Sequence, residues 1–206
     1  MKKGKGYFIT FEGPEGSGKS TQIRVLTQYL RRRGYRVLVL REPGSTRVSE
    51  AIRQIILNHD FKELEPETEL LLYMAARAQL VRERILPALR SGFIVICDRY
   101  EDSTLAYQGY GRGIPLKMIQ QLSCFVRNQI VPDVTFLLDI SPGAGLSRGG
   151  RHDRIERQSM AFHHRVREGF LELARKGRKR FVLIDAAQNR TAIARMIQER
   201  LACGLG

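Results

Sequence analysis

Gly13-Pro14-Glu15-Gly16-Ser17-Gly18-Lys19-Ser20 satisfies the pattern G-x-x-x-x-G-K-[ST] in full. The apolar run Tyr7-Phe8-Ile9-Thr10-Phe11 precedes it and reads as a strand. Behind it, Ile23, Leu26 and Leu30 share one face of a helix that runs from Lys19 to about Arg33 and stops at Gly34. A chance turn of small residues has no reason to sit between a strand and a helix; a phosphate-binding loop requires that setting. Its glycines let successive backbone N–H groups converge on phosphate oxygens, and the helix N-terminus adds partial positive charge. Lys19 can reach the β- and γ-phosphates of a nucleotide, and the Ser20 hydroxyl can ligate Mg²⁺. The ATP-binding set expected here is Gly13, Pro14, Glu15, Gly16, Ser17, Gly18, Lys19, Ser20 and Thr21.

Four more short apolar runs follow: Arg36 to Leu40, Phe93 to Cys97, Val134 to Leu138 and Phe181 to Ile184. A helical stretch from about Glu65 to Leu89 lies between the second and third, its first turn rich in glutamate, which suits the helix dipole. Continuous apolar strands alternating with helices predict an α/β fold with a five-stranded parallel sheet flanked by helices. The expected organisation is a single P-loop kinase domain over residues 1–206, with a lid segment at about 146–157. In such sheets ligands bind beyond the carboxyl ends of the strands, so chemistry is sought just after each run.

Composition narrows the partners. With 35 Lys and Arg against 21 Asp and Glu, the 206 residues carry a formal charge of +14. Such an excess can bind nucleic acid non-specifically, or serve small anionic substrates and otherwise sit on solvated helix faces. The basic clusters at Arg31 to Arg33, Arg148 to Arg157 and Arg175 to Arg180 have no interleaved aromatics of the kind a single-strand stacking platform needs. Small anions are therefore the expected partners, with no nucleic acid. No run approaches the roughly 20 apolar residues of a membrane helix, and the basic start, Met1 to Lys5, lacks the apolar segment of a secretory signal. Cys97, Cys124 and Cys203 form no metal-binding or disulfide pattern. The expected location is the cytoplasm, away from membranes.

Arg41-Glu42-Pro43-Gly44 follows the second strand, and an arginine there can hold a phosphate bidentately, although Pro-Gly is also ordinary turn chemistry. Asp98-Arg99-Tyr100 follows the third. An aspartate in that position holds Mg²⁺ in P-loop enzymes, so Ser20 and Asp98 are the metal candidates. Arg99 looks badly placed for a structural role and well placed to bind an anion beside the metal. Asp139 ends the fourth strand, where a capping or structural role stays open. Between the fourth and fifth strands, Arg148-Gly-Gly-Arg151-His-Asp-Arg154 combines arginines with glycines. This suits a flap that closes over phosphates, the bland alternative being a solvated loop. A GTPase would show an Asn-Lys-x-Asp segment, which is missing, and the chain is short for a motor or helicase. A small kinase fits best.

The ordered segments Phe-Glu-Gly-Pro-Glu-Gly-Ser-Gly-Lys-Ser-Thr, Arg-Glu-Pro-Gly, Tyr-Met-Ala-Ala-Arg-Ala-Gln, Asp-Arg-Tyr, Ser-Thr-Leu-Ala-Tyr-Gln-Gly and Asp-Arg-Ile-Glu resemble the bacterial thymidylate kinase family from about Tyr7 to Ala187. The resemblance implies a nucleoside monophosphate kinase fold and Mg²⁺-dependent transfer of the ATP γ-phosphoryl to dTMP, giving dTDP and ADP for dTTP synthesis. It implies that Glu15 faces the sugar 3′-hydroxyl, that Arg41 and Arg99 hold the acceptor phosphate, and that Tyr73 stacks on thymine. Arg77, four residues on and so on the same helix face, would hydrogen-bond the base edge; Thr104 and Gln108 would read it further. Tyr107 would crowd the 2′ position. Gly16, where part of the family has a basic residue, implies that the catalytic cations Lys19 and Arg99 are joined by lid arginines, Arg148, Arg151 and Arg154. Ser45 stands where a glycine is expected, and the flap's spacing also departs from the pattern. Ala186-Ala187-Gln188 lies where such enzymes contact adenine. A homodimer is implied by the family alone.

Overall fold

In the computed structural model residues 6–148 and 153–205 are described. β1 (Tyr7–Glu12) leads through the glycine-rich loop into α1 (Lys19–Arg32), and then come β2 (Val37–Arg41), α2 (Arg47–Leu57) and α3 (Pro66–Leu80). A π-helical turn, Val81–Ile85, carries α3 into α4 (Leu86–Arg90). β3 (Ile94–Asp98) is followed by α5 (Glu101–Thr104), which continues as a wide turn, Leu105–Gly111, and by α6 (Leu116–Val126). The chain closes with β4 (Val134–Asp139), α7 (Pro142–Arg148), α8 (Met160–Lys176), β5 (Phe181–Asp185) and α9 (Arg190–Leu205).

All strands are parallel, in the order β2-β3-β1-β4-β5. β1 is therefore central, with β3 on one side and β4 on the other. That order brings the loops after β1, β2 and β3 to one edge of the sheet, next to the point where successive connections leave in opposite directions.

Burial on both faces holds for the three central strands, whose apolar side chains are almost wholly covered. β2 and β5 are edges, and Val39 and Leu183 remain 40% and 52% exposed. The expected helix from Glu65 to Leu89 is present with a defect. Leu86 donates its N–H to Val81, five residues back, one residue before Pro87. Proline has no N–H to give and its ring collides with the preceding turn of a regular helix, so the widened turn accommodates it.

On one face of the sheet, Ile23, Leu26 and Leu30 of α1 and Ile193, Ile197 and Leu201 of α9 pack against Ile9, Phe11, Phe136 and Leu138. Each such burial stabilises by roughly 1.5–3 kcal/mol. Buried polar groups inside the sheet are paired: the Thr10 and Thr135 hydroxyls lie 2.8 Å apart. Arg180 donates to both Asp102 oxygens at 2.7 Å and to Thr135 at 2.6 Å. The basic cluster at Arg175 to Arg180 is thus divided. Arg175 pairs with Glu172 on the surface, while Arg180 turns inward to neutralise a carboxylate that is 1% exposed. No helix among the described residues is long and apolar enough to cross a membrane.

Candidate active site

The phosphate-binding loop is held in shape by its own lysine. Lys19 Nζ donates to the Gly13 and Pro14 carbonyls at 3.0 and 2.9 Å and to Ser17 Oγ at 3.3 Å. Burial, reinforced by the nearby Arg99 charge, lowers its pKa to about 8. Gly16 has φ +66°, and a Cβ there would lie 1.9 Å from the Gly145 carbonyl oxygen of α7. This backbone approach excludes a basic side chain at position 16. Ser20 Oγ donates to Asp98 Oδ2 at 3.1 Å, which brings together the two residues read as metal ligands.

Arg99 corrects one expectation. Expected only as an anion ligand, it has a structural role. Its backbone is left-handed, with φ +69°, and its N–H bonds to Phe11 O at 2.9 Å. The guanidinium donates to Gly13 O and Ser103 Oγ, both at 3.1 Å, and to Glu15 Oε1 at 2.6 Å. Tyr107 donates its hydroxyl to the same Glu15 oxygen at 2.9 Å, its ring lying 5.0 Å from the guanidinium carbon of Arg99. Burial alone would raise the Glu15 pKa, but the charges of Arg99 and Lys19 and the Tyr107 hydrogen bond pull it down to about 2.

Beneath this pair sits Glu12, the last residue of β1. Its carboxyl accepts the Tyr100 N–H at 2.8 Å and the Ser103 hydroxyl at 2.5 Å. It thereby fastens the unusual backbone turn on which Arg99 stands to the strand that carries the phosphate loop. Burial, followed by the negative charge of Asp102, pushes its pKa up to about 8.

A cleft runs away from this point, lined by Tyr73 and Arg77 of α3, Thr104 of α5, and Tyr107 and Gln108 of the wide turn. The expected base-binding residues are therefore brought together. Arg77 is 1% exposed. It donates to Glu42 at 2.7 and 2.8 Å and to Thr104 at 2.7 Å. Burial opposes its charge, but Glu42 more than restores it and raises the arginine's pKa. Burial likewise raises the Tyr73 pKa, so the phenol stays neutral. Glu15, Glu42, Arg53, Arg99 and Asp153 line both this cleft and the cavity over the phosphate loop, so the two are neighbouring compartments of one site.

Other expectations land differently. Arg41 lines the loop cavity but is bound to the Glu50 carboxylate at 2.8 and 2.9 Å. Ser45 occupies its predicted glycine's left-handed conformation, φ +70°, with its N–H on Glu50 at 2.7 Å. Arg148 lines the loop cavity at the end of α7 and donates to Ala186 O at 3.1 Å. The first residues of the expected lid, 146–148, are thus helical. Arg151 lies outside the described residues. Arg154 points away from the phosphate loop, its guanidinium held by Ile56 O at 2.9 Å and by Glu69. Asp139 is a structural carboxylate, bound by Arg167 through two 2.8 Å hydrogen bonds.

Sequence reasoning overlooked Arg53, Glu42 and Glu69. Arg53 sits on α2, donates to Pro43 O at 2.8 Å and faces both compartments. The apolar spacing of that segment does not mark its position, because Val48, Ala51 and Ile55 lie exposed on α2 while Arg53 is half-buried. Nothing local to the sequence marks Glu42 or Glu69 as buried partners of arginine.

The thymidylate kinase family model matches residues 11–197. A thymidylate kinase from Geobacter sulfurreducens is 48% identical over 205 residues, covering 95% of this chain and 96% of the relative. One from Carboxydothermus hydrogenoformans is 50% identical over 181 residues, 86% of this chain and 89% of that one. Among solved structures, the thymidylate kinase of Ehrlichia chaffeensis aligns with a TM-score of 0.81 at 35% identity, covering 96% and 99% of the two chains.

The raised Glu12 pKa has a signed consequence. The folded state keeps the proton up to about 8, whereas the unfolded chain releases it near the ordinary 4.5. The folded state therefore binds more protons in that window, and this contribution to stability, complete below pH 4.5, is lost as pH rises through about 8. Glu12→Gln cannot titrate. Urea unfolding between pH 4.5 and 8 is expected to show wild-type stability falling relative to the variant; parallel curves would refute the assignment.

Proposed function

The chain belongs to the thymidylate kinase family, and from that premise we propose how its site carries out the family's reaction. The enzyme phosphorylates dTMP to dTDP with ATP as donor. ATP lies over the phosphate loop, with the backbone N–H groups that the loop offers from Glu15 to Thr21 and Lys19 on its phosphates, and dTMP lies in the cleft. The observation that carries this reading is the set of five residues shared by the two compartments, which supports an acceptor phosphate bound next to the donor.

In the cleft, Tyr73 presents its ring to thymine, Arg77 and Thr104 donate toward the base edge, and Gln108 completes the reading. Glu15 accepts from the sugar 3′-hydroxyl, and Tyr107, on the same carboxylate, fills the space a 2′-hydroxyl would need. Arg99 holds the acceptor phosphate, assisted by Arg53 and by Arg41 once it leaves Glu50. The acceptor is already an oxyanion, so no strong general base is required, and catalysis consists of alignment and charge neutralisation. Arg148 is the described lid arginine on the loop side and is assigned to the transferring phosphoryl. Arg151 is assigned with it, while Arg154 anchors the lid at the base end.

Ser20 and Asp98 would hold Mg²⁺. They are adjacent oxygen donors facing the loop cavity. Among the described residues no group of three or more His, Cys, Asp or Glu side chains could hold a metal. That suits an ion carried largely by substrate phosphates and water. When bound, such an ion would supply charge neutralisation to the phosphoryl groups beside Ser20 and Asp98.

A homodimer is proposed on α2, α3 and α6, which present Val48, Ile55, Leu71, Met118 and Phe125, the last 82% exposed. A cytoplasmic location is proposed because the free thiols Cys97 and Cys124 suit a reducing compartment.

Lys19→Ala is expected to cut turnover by about a hundredfold or more without changing the circular dichroism spectrum. Arg99→Ala is expected to raise KM for dTMP about tenfold or more while KM for ATP changes little. An active Lys19 variant would sink the loop assignment, and equal losses for both substrates would sink that of Arg99. Phe125→Asp should shift sedimentation from dimer to monomer; an unchanged dimer would place the interface elsewhere.

A further inference from the structure

Glu69 is 0% exposed and lies on α3 one turn before Tyr73, which is itself one turn before Arg77. The three residues thus line one helix face. Glu69 Oε1 accepts the Gln108 amide Nε2–H at 2.8 Å and Arg112 Nε–H at 3.3 Å. Its Oε2 accepts Arg112 Nη2 at 3.1 Å, and Arg154 from the lid segment. Burial opposes ionisation of this carboxyl, but the hydrogen bonds from Arg112 and Gln108 and the two arginine charges outweigh it and lower its pKa.

An ionised carboxylate can only accept hydrogen bonds. The Gln108 amide beside it must therefore present its NH2 to Glu69. A flipped amide would set its oxygen against the carboxylate and lose the 2.8 Å bond. Gln108 lines the cleft, and the atom of its amide left for the cleft is the oxygen, an acceptor.

We propose that Glu69 is a specificity-determining positioning residue: by fixing the Gln108 amide it makes the cleft accept pyrimidines with an N–H at ring position 3 and reject cytosine. Thymine and uracil offer that N–H to the amide oxygen. Cytosine has a lone pair there, which would face the oxygen. Arg77 acts in the same sense from the next part of the edge, since its guanidinium can only donate and so suits a 4-oxo group over an amino group. Discrimination by an unpaired buried polar group is steeper than discrimination by shape, because the wrong base leaves acceptor facing acceptor without water. The inference rests on the reading that the base of dTMP occupies this cleft.

The test measures kcat/KM for dTMP, dUMP and dCMP, with KM for ATP, in wild type, Glu69→Gln and Gln108→Met. In Glu69→Gln the single amide oxygen is drawn to the two arginines and its NH2 turns to Gln108, which flips and offers a donor to the cleft. The dTMP-to-dCMP ratio is expected to fall about tenfold or more, with the dTMP-to-dUMP ratio and KM for ATP unchanged. Gln108→Met should lower the same ratio and abolish any further effect of Glu69→Gln in the double variant. If Glu69→Gln does not fold, Glu69→Asp keeps the charge for the arginines but falls short of Gln108, and is expected to lower the ratio too. Parallel loss for all three acceptors, or an unchanged ratio, in a folded Glu69 variant would overturn the proposal. An unchanged ratio in Gln108→Met would instead overturn the placement of the base in the cleft, and the proposal with it.

Discussion

The 2.6 Å pairing of Arg99 with Glu15 joins two loops that leave neighbouring strands. Most of the site's geometry follows from it. β1 ends in the phosphate loop and β3 ends in Asp98-Arg99, so the parallel pairing of those strands sets the guanidinium against the loop carboxylate. Tyr107 closes on the same oxygen from the wide turn after α5, and Ser103 bridges Arg99 to Glu12 below. The cation and the anion at the junction of the two compartments thus already hold one another in place. Such preorganisation reduces the reorientation needed when substrate arrives.

The same economy recurs elsewhere in the chain. Of the strongly basic composition, Arg77, Arg99, Arg112, Arg154 and Arg180 are turned inward onto Glu42, Glu15, Glu69 and Asp102. Burying a lone carboxylate or guanidinium is prohibitive, and pairing with good hydrogen bonds makes it tolerable. These interior pairs cluster around the cleft, where they fix polar side chains in single orientations. The Glu42–Arg77 pair leaves one buried carboxylate oxygen without a hydrogen-bond partner among the described residues, at the boundary the two compartments share.

Much of this was legible in the sequence. The loop motif between a strand and a helix announced phosphate binding, and the apolar runs announced a parallel sheet, because both signals depend on local spacing. Tyr73 to Gln108 could be read as a base site only through resemblance, since an aromatic on an amphipathic helix looks like core. What escaped were relations between distant segments. Arg99 looked like a free anion ligand because nothing near it reveals that Glu12, Glu15 and Ser103 surround it. Arg154 looked like a phosphate ligand because Glu69, 85 positions earlier, is its partner only in three dimensions. Gly16 was read as a sign that cations come from elsewhere; the approach of Gly145, which leaves no room for a side chain there, appears only in the fold.

The most direct test is a crystal structure of the enzyme with dTMP bound. The account predicts thymine in the cleft beside Tyr73, with ring N3 about 3 Å from Gln108 Oε1, and the phosphate at hydrogen-bonding distance from the Arg99 guanidinium. A base outside the cleft, or a phosphate bound by the loop amides with Arg99 untouched, would contradict it.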